Sequence, residues 1–108
     1  MTKAAITYLA DGFIFDCTGH AGYAEKGKDI VCAGISALCM GLAGRLSELS
    51  EENVVSVKYF HCADGDVYIE VVYGDEEMCR IKALEALETV RCGLERIETR
   101  YPEYFLME

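Results

Sequence analysis

Val54-Val55-Ser56-Val57-Lys58-Tyr59-Phe60-His61-Cys62-Ala63-Asp64-Gly65-Asp66-Val67-Tyr68-Ile69-Glu70-Val71-Val72-Tyr73 decides the fold. Apolar residues alternate at Val55/Val57/Tyr59 and again at Val67/Ile69/Val71, and Asp64-Gly65 between them is a tight-turn pair, so the stretch predicts a β-hairpin of Val54–Cys62 and Val67–Tyr73. The same device opens the chain, where Lys3–Leu9 and Phe13–Thr18 are joined through Asp11-Gly12. Each hairpin runs into a helical pattern. Val31, Ile35, Leu38, Leu42, Leu46 and Leu49 make one stripe from Ile30 to about Leu49; Ile81, Leu84, Leu87, Val90, Leu94, Ile97 and Tyr101 make another from about Glu76 to Arg100, stopped by Pro102. The order ββαββα predicts an α+β two-layer sandwich, a four-stranded sheet with both helices on one face. Residues 1–108 are expected to form a single domain.

Composition narrows the function classes. Ten Lys and Arg stand against 19 Asp and Glu, a formal charge of −9, and without a basic cluster direct nucleic-acid binding is not expected. No uninterrupted apolar run approaches the ~18 residues of a bilayer span, and the N-terminus lacks the sections of a signal peptide, so a cytoplasmic location away from membranes is expected. None of the six cysteines forms a C-x-x-C pair; all six read as reduced thiols. No cofactor and no metal are expected, since Cys17 with His20, or His61 with Cys62, lacks a second ligand pair. Gly34, Gly41 and Gly44 lie inside the first helix, where each costs up to ~1 kcal/mol, which predicts compensating close packing on the sheet, the second helix or another subunit.

The chemistry concentrates between the first hairpin and the first helix, in Gly19-His20-Ala21-Gly22-Tyr23-Ala24-Glu25-Lys26-Gly27-Lys28-Asp29-Ile30-Val31-Cys32-Ala33-Gly34-Ile35-Ser36. Asp29 is placed as helix N-cap, which sets the Cys32 thiol in the first turn, where the helix dipole favours a thiolate. His20, at a strand exit, supplies a base. Gly22 and Gly27 flank Tyr23 in a connection able to change conformation over a bound peptide. Asp29 could cap or orient His20, two roles competing for the same oxygens, and capping is the safer assignment. Cys32, Ser36 and Cys39 share one side of the helix, and as small residues they fit a packed contact as readily as a cleft.

Gly19-His20-Ala21-Gly22, followed by Gly27-Lys28-Asp29-Ile30-Val31-Cys32-Ala33 and Ser36, resembles the signature of the ribosomal-processing cysteine proteases, the Prp family. The resemblance extends over the whole chain, including a tail like Tyr101-Pro102-Glu103-Tyr104. It implies His20 as catalytic histidine, Cys32 as nucleophile, Asp29 and Ser36 as supporting residues, and Gly22, Tyr23 and Gly27 in a mobile loop covering substrate. It further implies a homodimer and a peptide substrate: the N-terminal extension of large-subunit ribosomal protein L twenty-seven, cut after paired aromatics. Gly34 departs from the alanine common in the family. Two other readings stay open on the residues alone, a ribosomal-protein-binding or ribosome-assembly module in which Cys32 only packs, and a thiol redox sensor.

Overall fold

The computed structural model describes all residues, Met1–Glu108. Strands β1 (Thr2–Tyr8) and β2 (Gly12–Thr18) precede helix α1 (Ile30–Glu51); strands β3 (Val55–Ala63) and β4 (Asp66–Tyr73) precede helix α2 (Glu77–Arg100); a short β5 (Phe105–Met107) ends the chain. The sheet order is β3-β4-β2-β1-β5. Both hairpins are antiparallel, and β2 and β4 join them antiparallel at the centre.

The sheet therefore has five strands rather than four, in the order ββαββαβ. The fifth strand pairs parallel with β1 through Thr2↔Phe105, Lys3↔Leu106 and Ala4↔Met107. Three residues are too few for a periodicity to show. What fixes β5 is tertiary: Phe105 is fully buried, and the Met107 N–H donates to Glu98 Oε2 of α2 at 2.7 Å.

One face of the sheet is dry. Ala4, Phe13, Phe15, Cys17, Val67, Ile69, Val71 and Phe105 point into a single core with Val31, Ile35, Cys39, Leu42, Leu46 and Leu49 of α1 and Ala83, Leu87, Val90 and Leu94 of α2. Period-two burial on the strands and period-3.6 burial on the helices meet in two layers, as the patterns require. α1 contains a window long and apolar enough to cross a bilayer, which a search for uninterrupted runs passes over; its apolar stripe is packed on the sheet instead.

Two local expectations need correcting, and a third is met only at one residue within the chain. A bulge lies between Val57 and Tyr59, so Tyr59 does not continue the inward series of Val55 and Val57. It stands on the open face, edge-on to Tyr68 with centroids 5.4 Å apart, because one extra residue reverses the alternation. Ile81 is 42% exposed while Ala83 is fully buried, since the buried stripe of α2 runs Ala83/Leu87/Val90/Leu94 and a residue two positions before Ala83 falls on the opposite side of the helix. No close packing within the chain occupies α1 at Gly41 and Gly44, where an added β-carbon would meet nothing within 4 Å; at Gly34 it would meet only the Ile97 side chain, at 3.5 Å.

Phe105 is the test of β5. Phe105→Ala should lower the unfolding free energy by about 3 kcal/mol, read as a reduced urea midpoint at unchanged m-value. A loss below about 0.5 kcal/mol would mean that the core closes without the fifth strand.

Candidate active site

The exit of β2 is clamped from two sides. Gly19 has φ 96°, its N–H donates to the Gly65 carbonyl at 2.9 Å, and the buried Thr2 hydroxyl donates to its carbonyl at 3.3 Å. A β-carbon at Gly19 would lie 2.6 Å from the Met1 carbonyl oxygen, so the tight approach to the N-terminal strand needs glycine here. The clamp delivers His20 to the end of the sheet where α1 begins.

The start of α1 is organised by Asp29. Its backbone is extended, φ −85° and ψ 98°, and its carbonyl accepts from Ala33 N–H at 3.0 Å. Carboxylate Oδ1 accepts from Cys32 N–H at 2.9 Å, while Oδ2 accepts from the N–H groups of Tyr23 at 2.9 Å and Ala24 at 3.3 Å. Partial burial pushes this carboxyl up, but hydrogen bonds from Cys32, Ala24, Tyr23 and Val31 outweigh it and hold the group below its ordinary range. Asp29 thus caps the helix and ties down the preceding loop with one side chain. It makes no hydrogen bond to His20. The N–H of Cys32 is taken by this cap.

His20, Cys32, Asp29 and Ser36 line one hollow of about 600 Å³, together with Lys28 and Asp64. Cys32 and Ser36 also border a second, more apolar hollow of about 340 Å³, which reaches Cys17, Ile35, Cys39 and Cys62. Cys32 is half-buried at the ridge between the two. Its neighbours on the same side differ in chemistry: Cys39 is buried and its thiol is pushed far up by its hydrogen bond with Cys17 and by burial, so it stays protonated. Of the thiols around these hollows, Cys32 alone also lines the one that contains the imidazole.

Gly22 and Gly27 adopt φ 73° and 90°, the left-handed conformations that let the loop turn. Tyr23 is not free in that loop. Its ring stands edge-on to Tyr101 and Tyr104, with centroids at 5.5 and 5.2 Å, so the segment after α2 anchors the loop's base. The outer part of the loop is held by exposed ion pairs, Lys28–Glu25 at 3.1 Å and Lys26–Asp64 at 3.6 Å. The contacts made by Asp64, Gly65, Tyr101 and Tyr104 escape a motif reading, because Asp64-Gly65 carries only a turn signal, and Tyr101-Pro102-Glu103-Tyr104, a helix stop and a tail like the family's, does not say what it will touch.

The sequence pattern of the family described as "Cysteine protease Prp" matches residues 1–106. The "Ribosomal processing cysteine protease Prp" of Bacillus subtilis (strain 168) is 32% identical over 90 residues, 82% of this chain and 78% of that protein. The essential ribosomal processing protease Prp from S. aureus, solved in complex with a covalently linked product peptide, superposes with a TM-score of 0.74 at 28% identity, covering 100% of this chain and 98% of that one. The same protease with a substrate peptide gives 0.68 at 28% identity, with the same coverage. SMU.848 from Streptococcus mutans also gives 0.68, at 27% identity over 100% of this chain and 92% of that one.

The cap makes a twofold prediction. Asp29→Ala should cost about 1 kcal/mol in urea unfolding and speed amide hydrogen exchange at Tyr23 and Ala24. Because the folded-state carboxyl is held low, its contribution is fully present above the unfolded value near 3.9 and is lost as pH falls through the lower folded value. The Cys32 and Tyr23 amide resonances should titrate with a midpoint below about 3.9; a midpoint at or above it would show that the hydrogen bonds do not favour the carboxylate.

Proposed function

The chain belongs to the cysteine protease Prp family, and from that premise we propose that it is a cytoplasmic endopeptidase that removes the N-terminal extension of a large-subunit ribosomal protein of the L twenty-seven type, with Cys32 as nucleophile and His20 as general base. The observation that carries this reading is that His20 and Cys32 line the same hollow, Cys32 in the first turn of α1. The S. aureus relative solved with a covalently linked product peptide supports a peptide as the substrate class.

His20 takes the proton of the Cys32 thiol, the sulfur attacks the scissile carbonyl carbon, and the C–N bond breaks as the resulting imidazolium gives that proton to the leaving amine. The new N-terminus departs and leaves a thioester. Water, deprotonated by His20, then attacks the thioester, and the extension is released as a carboxylate with the thiolate restored. The tetrahedral oxyanion needs N–H donors. At Cys32 it competes with Asp29 Oδ1 for the same N–H, so acylation and the grip of the cap are coupled, and through Tyr23 and Ala24 so is the loop. Ser36 borders both hollows and serves as a polar neighbour of the nucleophile.

A homodimer belongs to the same proposal. Met40 is 63% exposed and Phe60 45%, and the bare backbone at Gly41 and Gly44 lies on the same helix as Met40, which gives a second copy a smooth apolar face to cover.

The test is mass spectrometry of the extended ribosomal protein after incubation with wild-type, Cys32→Ala and His20→Ala proteins, each first checked for folding. One cut by the wild type is expected, with at least a ~10³-fold loss in either variant. The same cut by folded Cys32→Ala would remove Cys32 as nucleophile, and an intact substrate with all three would favour a binding module.

A further inference from the structure

A Cys-His pair needs its imidazole held, and no residue of the motif holds it here. The ring of His20 makes no side-chain hydrogen bond, and the nearest acid of the motif, Asp29, spends both oxygens on backbone N–H groups. Across from the ring lies the β3–β4 turn. Gly65 there has φ 74°, and a β-carbon on it would stand 2.7 Å from both Nε2 and Cε1 of His20 and 3.4 Å from Nδ1. The same residue's carbonyl accepts from Gly19 N–H, immediately before the histidine, at 2.9 Å.

We propose that Gly65 is the positioning residue for His20: its bare α-carbon is the seat of the imidazole, and its carbonyl fixes the backbone from which the ring projects. The inference rests on the reading of His20 and Cys32 as the catalytic pair. A polar third residue orients a histidine through a hydrogen bond to one nitrogen. Here contact with a flat backbone surface limits the ring's rotation and leaves its nitrogens free for Cys32 and for the leaving amine. The seat excludes every side chain, since a β-carbon at 2.7 Å lies inside van der Waals contact and the backbone conformation is one that L-residues rarely adopt. Glycine at position 65 is thus demanded twice, by the turn and by the ring.

The experiment needs no knowledge of the substrate. The rate of iodoacetamide alkylation at Cys32, resolved from the other five thiols by peptide mass spectrometry, is measured against pH for wild type, His20→Ala, Gly65→Ala and the double variant. His20→Ala should displace the profile to higher pH. Gly65→Ala should move it in the same direction and slow alkylation at pH 7 about tenfold, and the double variant should match His20→Ala alone, because a residue that acts through the ring has no effect once the ring is gone. A His20→Ala profile identical to wild type would sink the catalytic pair itself. A displaced His20→Ala profile beside an unchanged one for folded Gly65→Ala would sink only the role of Gly65, as would effects of the two substitutions that simply add. Should Gly65→Ala not fold, wild-type NMR decides: a nuclear Overhauser contact between the Gly65 Hα protons and His20 Hε1 is expected, and its absence overturns the proposal.

Discussion

The carboxylate of Asp29 is the interaction on which the site depends. Helix α1 starts with N–H groups that have no partner within the helix, and the residue that satisfies them also fixes the chain leading in. Removing its three direct hydrogen bonds, to Cys32, Tyr23 and Ala24, would free the end of the helix and the base of the loop together. The Cys32 backbone is thereby set relative to the loop that follows His20, and the thiol's place follows from the cap together with the packing of Cys32 against the core. That economy explains why the acid in this motif is not available to the histidine. A carboxylate accepting from three backbone donors and a carboxylate orienting an imidazole are different geometries, and the fold uses the first.

The histidine's support comes from elsewhere in the chain. Two hairpins that are far apart in sequence become neighbours through β2 and β4, with Thr18 opposite Asp66 at the end of the ladder. The turn of the second hairpin therefore has to lie beside the exit of the first. The dry face of the sheet, with Phe13, Phe15, Ile69 and Val71 at 0% exposure, makes that register costly to change, because slipping either strand by one residue would turn its pair of large apolar side chains outward. Core packing, through register, is what places a turn residue against His20.

Much of this was legible in the sequence, and the parts that were not share a cause. The two hairpins, the two helices and the position of Cys32 follow from alternation, turn pairs and a cap residue, all of which are local. β5 was missed because Phe105-Leu106-Met107 has no period to read and is fixed only by pairing with β1. The outward turn of Tyr59 was missed because a bulge adds one residue without a composition signal. At the site, the pairing of His20 with Cys32 came from a family motif. The seat at Gly65 and the tyrosine anchor at Tyr101 and Tyr104 are long-range contacts, and nothing in a turn pair or a helix stop says what it will touch. The expected packing around Gly41 and Gly44 is not supplied by this chain, because a glycine cost in a helix predicts some compensation but not whether the sheet, the second helix or another subunit provides it.

The contacts of the loop divide by strength, and the division says where it can move. At its base, Tyr23 is held by a charge-assisted hydrogen bond from its N–H to Asp29 and by two edge-on aromatic contacts, interactions worth on the order of 1 kcal/mol each. Farther along, Lys26–Asp64 and Lys28–Glu25 join side chains that are 63–93% exposed, and such pairs contribute about 0–1 kcal/mol. Only Lys26–Asp64 joins the segment Glu25–Lys28 to the β3–β4 turn, since Lys28–Glu25 lies within that segment. The segment from Glu25 to Lys28 is therefore joined to the β3–β4 turn by one weak, exposed pair, whereas Tyr23 is held by the cap and by two aromatic contacts.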